Sequence, residues 1–392
     1  MAARRGAGYQ PSAGDLFELV RQGADTRAEL RRLTGLSRTA VTARIEHLLA
    51  RGLLVERPGG AATGGRPAAK LEFHAAGGAV LVAAIGASRA QLAVCDLSGA
   101  VRAECSLHVD VGDGPHTVLG AVAKHLDELR HAAEVEPGTV RGIGVSIPGP
   151  VDRERGCSVR APAMPDWDEV PVAPLLIRAE QQVPVIVEND VNALAVAEHH
   201  ALKAGGVEDL LLVKASTGIG AGVISGGQLQ RGADGASGEI GHTSVADGGG
   251  VPCLCGGVDC LEAVAGGREL VRALAAAGHG VEALADVVTL AQRGDREAVR
   301  LVRDAGRRIG TVLAGAVNLL NPAVVVLAGD LADAFEPLVA GVREQVYARA
   351  AAPVTRRLRI EPSVHGERGG ILGCATLVLE RILAPRSIDA VR

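Results

Sequence analysis

Apolar positions in the first 50 residues recur at helical spacing. Leu16–Val20 is a short amphipathic stretch, and Thr26 and Glu29 have the spacing of a capping box at the start of a second helix. Gly35 interrupts the pattern, and Ser37 can cap a third helix whose apolar residues recur three and four positions apart. The order of helix, glycine turn and helix predicts a helix-turn-helix.

Two stretches after the third helix predict strands. Leu53–Arg57 and Lys70–Phe73 flank Pro58–Pro67, a segment rich in glycine that predicts a hairpin wing with Arg66 at its tip. We therefore predict a winged helix-turn-helix domain over residues 1–73. A three-helix module that binds another protein is the alternative interpretation of this pattern.

Charge favours DNA as the partner of this head. Residues 1–73 contain 12 Lys and Arg against 7 Asp and Glu, although the whole chain has a net charge of −4. A basic head on an acidic body is typical of a protein that binds a polyanion through the head alone. The polar residues early in the third helix are types that contact bases and phosphates. The predicted contacts to double-stranded DNA are Ser37, Arg38, Thr39, Thr42, Arg44 and, from the wing, Arg66.

The rest of the chain contains a weak internal repeat of strand, small-residue turn and strand. The first copy is Ala79–Ile85, Gly86–Ser88 and Gln91–Leu97, and the second is Leu210–Val213, Ser216–Gly220 and Gly222–Ile224. Such a duplication predicts two similar α/β lobes facing a cleft, and the N–H groups of glycine turns can bind phosphate. We place the first lobe at residues 74–200 and the second at 201–392, with a closing helix over Gly370–Leu379.

Polar residues follow the strand predicted over Val183–Val187. Asn189 and Asp190 lie where this strand ends and a helix through Ala193–Ala201 begins. Open α/β sheets bind ligands at such a junction. The alternative is that one of the two residues merely caps the helix.

Composition limits the remaining possibilities. The 392 residues are too many for one compact core, and only 2% of them are aromatic, so the cores must be built from Ala, Val, Leu and Ile. Arg4 and Arg5 are not followed by the apolar segment of a signal peptide, and the apolar run Ala79–Val94 is broken by polar residues. We expect a cytoplasmic, nucleoid-associated protein without a membrane segment.

A group of cysteines gives the strongest chemical signal. Cys253, Cys255 and Cys260 fall within eight residues, and His242 lies upstream of them. Three thiolates and an imidazole form a closed tetrahedral set for a structural zinc ion, Zn²⁺, with no open position for catalysis. The alternatives are three reduced thiols or a disulfide.

These segments together resemble the ROK family of repressors and sugar kinases over nearly the whole chain. Gly142–Asp152 is similar to the family's Gly-Val-x-x-Pro-Gly-Pro segment, and Glu188–Asn192 is similar to its sugar-site loop. Gly238–Glu262 resembles its zinc signature, which is the most specific of the three. The head, with Gly65–Pro67 in the wing, is similar to that of the repressor branch.

The resemblance implies an actin-like (ribonuclease H-like) two-lobed sugar-kinase fold. We expect its C-terminal helix to pack back on the first lobe, and the chain to form a homodimer or homotetramer. The sugar contacts that the resemblance implies are Asn189, Asp190, Glu239, His242 and Glu262. His242 would serve both metal and sugar, and Asp190 corresponds to the general base of the kinases.

Departures from the kinase pattern predict that phosphoryl transfer is lost. Ala84 stands where the kinases have the aspartate of the first phosphate loop, and without it no carboxylate organises the metal–ATP complex. Ser216 replaces a glycine of the second loop, and Ala163 replaces an asparagine near the sugar.

The expected function is a regulator, a repressor of carbohydrate metabolism genes that a sugar or sugar phosphate controls. An active sugar kinase that carries a DNA-binding domain is one alternative. A regulator controlled by a docking protein, with no small ligand, is the other.

Overall fold

The computed structural model describes residues 10–58, 69–159, 164–177, 183–246 and 248–390. The head comprises α1 (Ala13–Arg21), α2 (Arg27–Thr34), α3 (Arg38–Ala50), β1 (Leu54–Arg57) and β2 (Lys70–Phe73). The predicted turn is confirmed, since Gly35 ends α2 in the left-handed region at φ 72° and the Ser37 side chain accepts the N–H of Ala40. Arg66 and most of the predicted wing lie outside the described residues.

The head has its own apolar core. Leu16, Leu30 and Ile45 are fully buried, and the rings of Phe17 and Phe73 meet edge to face at 5.6 Å between centroids. This contact joins α1 to β2, so the short antiparallel sheet of β1 and β2 is packed against the helices.

Two five-stranded sheets of the same strand order form the body. The first contains β3 (Ala79–Ile85), β4 (Arg89–Asp96), β5 (Val101–His108), β6 (Val140–Ile147) and, after a small hairpin of β7 (Val151–Asp152) and β8 (Cys157–Ser158), β9 (Val185–Asn189). The second contains β10 (Leu210–Ala215), β11 (Ile219–Ser225), β12 (Gln228–Gln230), β13 (Val324–Ala328) and β14 (Arg359–Pro362). Their orders, β5-β4-β3-β6-β9 and β12-β11-β10-β13-β14, confirm the predicted duplication.

Helices cover and separate the sheets. They are α4 (Pro115–Ala132), α5 (Ala173–Leu176), α6 (Asp190–Leu202), α7 (Leu261–Ala265), α8 (Gly267–Ala276), α9 (Leu284–Gln292), α10 (Arg296–Leu320), α11 (Phe335–Arg349), α12 (Ala352–Thr355), α13 (Gly369–Ile382) and α14 (Pro385–Ala390). Within the described part of the chain, no helix is both long and apolar enough to cross a bilayer.

The centre of the body is a pair of helices between the sheets. α6 packs on β10 and β11 of the second sheet, and α13 packs on β3 and β6 of the first. The two helices touch backbone to backbone, because a methyl carbon added at Gly373 would lie 1.9 Å from the carbonyl oxygen of Ala193. The N-terminus of α6 is thereby fixed between the lobes.

The last helix returns to the head. α14 packs on α1, where the backbone N–H of Gly14 donates to Asp389 Oδ1 at 3.0 Å. Arg51 at the end of α3 donates to the carbonyl of Ile388 at 2.5 Å, and the Ile388 side chain is fully buried. Residues 385–390, predicted to belong to the second lobe, form part of the contact between head and body.

Candidate functional site

Asn189 ends β9 and organises the start of α6. Its Oδ1 accepts the backbone N–H groups of Val191 and Asn192 at 2.9 and 3.0 Å, and its Nδ2 donates to the carbonyl of Gly149 at 2.8 Å. The side chain therefore caps the helix and ties it to the loop after β6. This cap is what the alternative interpretation of the sequence proposed. The contact of Asn189 with a sugar stays a prediction.

Asp190 forms an ion pair that the sequence analysis missed. Its Oδ2 lies 2.5 Å from Nζ of Lys214 on β10, and its Oδ1 accepts the N–H of Val191 at 2.9 Å. Burial acts to lower the pKa of Lys214, but the charge and hydrogen bond of Asp190 outweigh it and hold the pKa above its ordinary value. The only sequence signal was a lysine at the end of the apolar run Leu210–Val213.

Glu239 lies near Asp190, Glu262 and His242. Burial raises the pKa of its carboxyl group, and the charges of Asp190 and Glu262 raise it further, while His242 opposes them. Glu239 Oε2 is 3.7 Å from His242 Nε2. Three predicted sugar contacts, Asp190, Glu239 and Glu262, are therefore close enough to influence one another.

Glu262 is placed against the second glycine turn. Its Oε2 accepts the backbone N–H of Ile219 at 3.0 Å, and a methyl carbon at Gly218 would lie 2.5 Å from that oxygen. A side chain at position 218 would displace this carboxylate from its observed position. The turn and the acidic pocket consequently form one surface.

His242 and the three cysteines form a compact cluster. One ligand atom from each of the four residues lies within 4.8 Å of the others. Cys255 Sγ is 3.6 Å from Cys260 Sγ, and Cys253 Sγ is 3.7 Å from His242 Nδ1. These separations match the edges of about 3.4–3.8 Å in a tetrahedron with Zn–S bonds of ~2.3 Å and Zn–N bonds of ~2.0 Å. The cluster could hold a metal ion, with Nε2 of His242 left to face Glu239.

Charged residues join the two glycine turns across the cleft. Arg89 follows the first turn and lies 3.9 Å from Asp330 Oδ1, while the Ser216 hydroxyl donates to the other oxygen of Asp330. Arg89 also pairs with Glu367 at 2.9 Å. Ala84 lies beside the start of α13, where a methyl carbon at Gly370 would be 2.7 Å from its Cβ. Ala163 is outside the described residues.

The recognition face of the head is only partly free. Ser37, Arg38 and Thr39 are exposed and Thr42 is half-buried. The Arg44 guanidinium instead donates to the carbonyl oxygens of Pro11 and Ala40 at 2.8 and 3.0 Å, so Arg44 holds the start of α1 against α3. The geometry does not test the predicted DNA contacts of these residues. Of the two arginines of α3, Arg38 is the one that is exposed to solvent.

Comparisons with known proteins place these features in context. The model of the ROK family matches residues 81–381. A putative xylose repressor from Caldicellulosiruptor sp. (strain Rt8B.4) is 28% identical in sequence to this chain, and the aligned region covers 92% of each protein. The crystal structure of a ROK family transcriptional regulator, a homologue of the E. coli MLC protein, covers 97% of both chains with a TM-score of 0.77 and 25% identity. A ROK family glucokinase from Streptomyces griseus, in complex with glucose and AMPPNP, covers 76% of this chain and 99% of its own, with a TM-score of 0.66 and 25% identity.

Proposed function

Because this chain belongs to the ROK family, we propose that it is a DNA-binding transcription regulator of carbohydrate genes, and that its body binds a sugar or sugar phosphate. The observation that carries the proposal is the head. The two regulators named above match the chain over more than nine-tenths of its length, whereas the glucokinase matches 76% of it. The family model begins at residue 81, so the helix-turn-helix head is what this chain has in addition to a kinase-like body.

The acidic pocket supplies the sugar site of this proposal. Asp190, Glu239 and Glu262 offer carboxylate oxygens that accept hydrogen bonds from sugar hydroxyls. Lys214 and the Nε2 atom of His242 offer hydrogen-bond donors to the sugar oxygens. Asn189 contributes by fixing the helix that bears Asp190.

Zinc is the metal that suits the cluster. His242 Nδ1 and the Sγ atoms of Cys253, Cys255 and Cys260 would hold it, and the soft donor set with no oxygen ligand favours Zn²⁺ over Mg²⁺ or Ca²⁺. When bound, the ion supplies structure: it fixes the loop and the ring of His242. Four protein ligands leave no position for a reacting molecule.

A mechanical route connects the pocket with the head. The helix that begins at Asp190 packs on α13, and α13 leads into α14, which contacts α1 through Gly14 and Asp389. A ligand that binds one arrangement of the lobes more tightly shifts the population towards it and changes the position of the head. In a homodimer or homotetramer, two heads would read the halves of a near-palindromic operator.

Kinase activity does not fit this pocket. Ala84 leaves the first glycine turn without the carboxylate that would organise a metal–ATP complex. Arg89, the cation beside the first glycine turn, is already paired with the carboxylates of Asp330 and Glu367. We propose that the protein is not an enzyme, and a coupled assay should detect no sugar-dependent ADP release.

The direct test is operator binding by the full-length protein. DNA sites are selected from a random pool, and affinity for the selected site is measured with and without D-xylose, D-glucose and glucose 6-phosphate. We expect selective DNA binding that one sugar changes by tenfold or more. A protein that selects no sequence, or whose affinity no sugar alters, contradicts the proposal.

Replacing Arg38 tests the recognition helix. We expect Arg38→Ala to weaken operator binding by about 1–3 kcal/mol if the guanidinium contacts a base, as measured by fluorescence anisotropy. Arg38 is exposed at the start of α3, so the fold should be unaffected. Arg356→Ala removes an exposed arginine from the body and should leave DNA affinity unchanged. Equal losses in the two variants would argue against α3 as the reading element.

Asp190→Asn tests the pocket. An effective sugar should raise the melting temperature of the wild-type protein, because a ligand that binds only the native state stabilises it. Loss of a charge-assisted hydrogen bond should weaken sugar binding by about 1.5–3 kcal/mol and remove most of that rise. Asp113→Asn, which changes an exposed carboxylate, should retain the full effect. A full sugar response in Asp190→Asn would place the sugar elsewhere.

A further inference from the structure

A cationic cavity lies at the end of α6 remote from the sugar pocket. Its volume is about 470 Å³, and its ionisable lining comprises Arg153, His199, His200, Lys203, Arg231, Glu380 and Arg381. His199 is nine residues along the helix from Asp190, or about 13.5 Å at 1.5 Å per residue. The cavity is therefore separate from the acidic pocket, and its charge has the opposite sign.

Arg231 is paired with Glu188 at 2.7 Å, but two other arginines of this cavity have no ion-pair partner in the described part of the chain. Partial burial and the guanidinium groups of Arg231 and Arg381 lower the pKa of Arg153, while the charges of Glu188 and Glu380 oppose that shift. Neither Arg153 nor Arg381 makes a hydrogen bond or salt bridge with another described residue. Glu380 is the one carboxylate among the described lining residues, so an anion would relieve the repulsion.

A buried histidine lies in the same wall. His199 is only 8% exposed, and its Nε2 has no hydrogen-bond partner among the described residues, although the ring also interacts with the backbone of Val207. An orphaned polar atom at this depth is costly unless a ligand or water satisfies it. His199 forms part of the cavity wall, while the arginines and Lys203 supply the groups that would contact a ligand.

We propose that this cavity is a second effector site, and that it binds a small phosphate monoester. A phosphate group carries a charge of about −1.5 to −2 and three strong acceptor oxygens at neutral pH. Two unpaired guanidinium groups and an ammonium group suit it, because arginine binds phosphate in a bidentate manner. A cavity of 470 Å³ lies in the size range of small-molecule sites.

The site is placed to act on both functional regions. Arg231 donates to Glu188 Oε2 at 2.7 Å, and the other oxygen of Glu188 accepts the N–H of Asn189 at 3.1 Å. Arg381 lies near the end of α13, four residues before α14 begins on the head side. A phosphate held by Arg153, Arg231 and Arg381 would therefore link the sugar-site loop to the helix that leads to the DNA-binding head.

The test uses full-length protein, titration calorimetry and three probes: inorganic phosphate, glucose 6-phosphate and AMP. We expect at least one probe to bind the wild-type protein, and Arg153→Gln/Arg381→Gln to weaken that binding at least tenfold. Because both side chains are exposed, the variant should fold normally. Lys203→Gln, a milder change to an exposed residue, should weaken binding by a smaller factor. The matched control Arg356→Gln/Arg357→Gln removes two exposed body charges and should bind as the wild type does.

Asp190→Asn separates this site from the sugar pocket. Asp190→Asn should bind inorganic phosphate or AMP as the wild type does. Failure of the proposed sugar site would therefore not contradict the proposed phosphate site. If glucose 6-phosphate binds in the sugar pocket instead, Asp190→Asn should abolish its binding and Arg153→Gln/Arg381→Gln should not. This result would overturn the proposal for that ester. Absence of binding by all three probes at millimolar concentration, or equal loss in the arginine control, would overturn the proposal outright.

Discussion

Cys260→Ser is expected to abolish metal binding and, with it, recognition of the sugar. Cys260 supplies one of four ligand atoms grouped within 4.8 Å, and a structural zinc site uses four protein ligands. Loss even of residues that support a ligand weakens metal affinity about 10–100-fold, so loss of the ligand itself should cost more than about 100-fold. Elemental analysis should find about one zinc per wild-type chain and almost none in the variant.

The consequence for the pocket follows from His242. Its imidazole joins the cluster through Nδ1 and faces Glu239 through Nε2, so a released ring no longer orients the acidic side chains. We expect the sugar-induced rise in melting temperature to disappear in Cys260→Ser and in chelator-treated wild type. Cys105→Ser changes a half-buried thiol of β5 outside the cluster and should keep both zinc and the sugar response. A wild-type protein without zinc would contradict the metal proposal.

Gly373→Ala is expected to be among the most destabilising single-methyl substitutions in the body. The added carbon would lie 1.9 Å from the carbonyl oxygen of Ala193, so α6 and α13 would have to separate. Overpacking against side chains costs about 1–3 kcal/mol, and a rigid backbone neighbour cannot move aside, so about 3 kcal/mol or more is expected. The measurement is the urea midpoint followed by circular dichroism.

The matched control for this substitution is Gly120→Ala. Gly120 lies on the exposed face of α4, where an added methyl carbon meets no atom within 4 Å. Alanine is the better helix former by about 0.8–1 kcal/mol, so this variant should be neutral or more stable. If both alanines had the same effect on the midpoint, close packing of α6 on α13 would not be a source of stability.

Local signals made several features predictable. The caps at Thr26 and Ser37 and the left-handed Gly35 depend on neighbours within a few residues. The strand predicted over Lys70–Phe73 has the bounds that the structure shows. The repeated strand–turn–strand pattern predicted two related sheets, because alternation and turn chemistry are encoded along the chain.

Other features had no local signal. Arg44 was predicted from its place on the polar face of α3, but its guanidinium holds Pro11, 33 residues away. Lys214 reaches Asp190 across 24 residues. The partner of a polar side chain depends on which groups lie near it in the folded protein. A single sequence does not give those distances.

The chain's sequence by itself determined the elements of the head, the duplicated lobes and the set of histidine and thiol donors, because periodicity, caps and closely spaced ligands are short-range properties. Only the tertiary structure decided that α14 packs on α1, that Asp190 is neutralised by Lys214, and that Arg153 meets Arg381 in one cavity. These contacts join segments up to 375 residues apart, and their geometry follows from how the two sheets and the α6–α13 pair pack together.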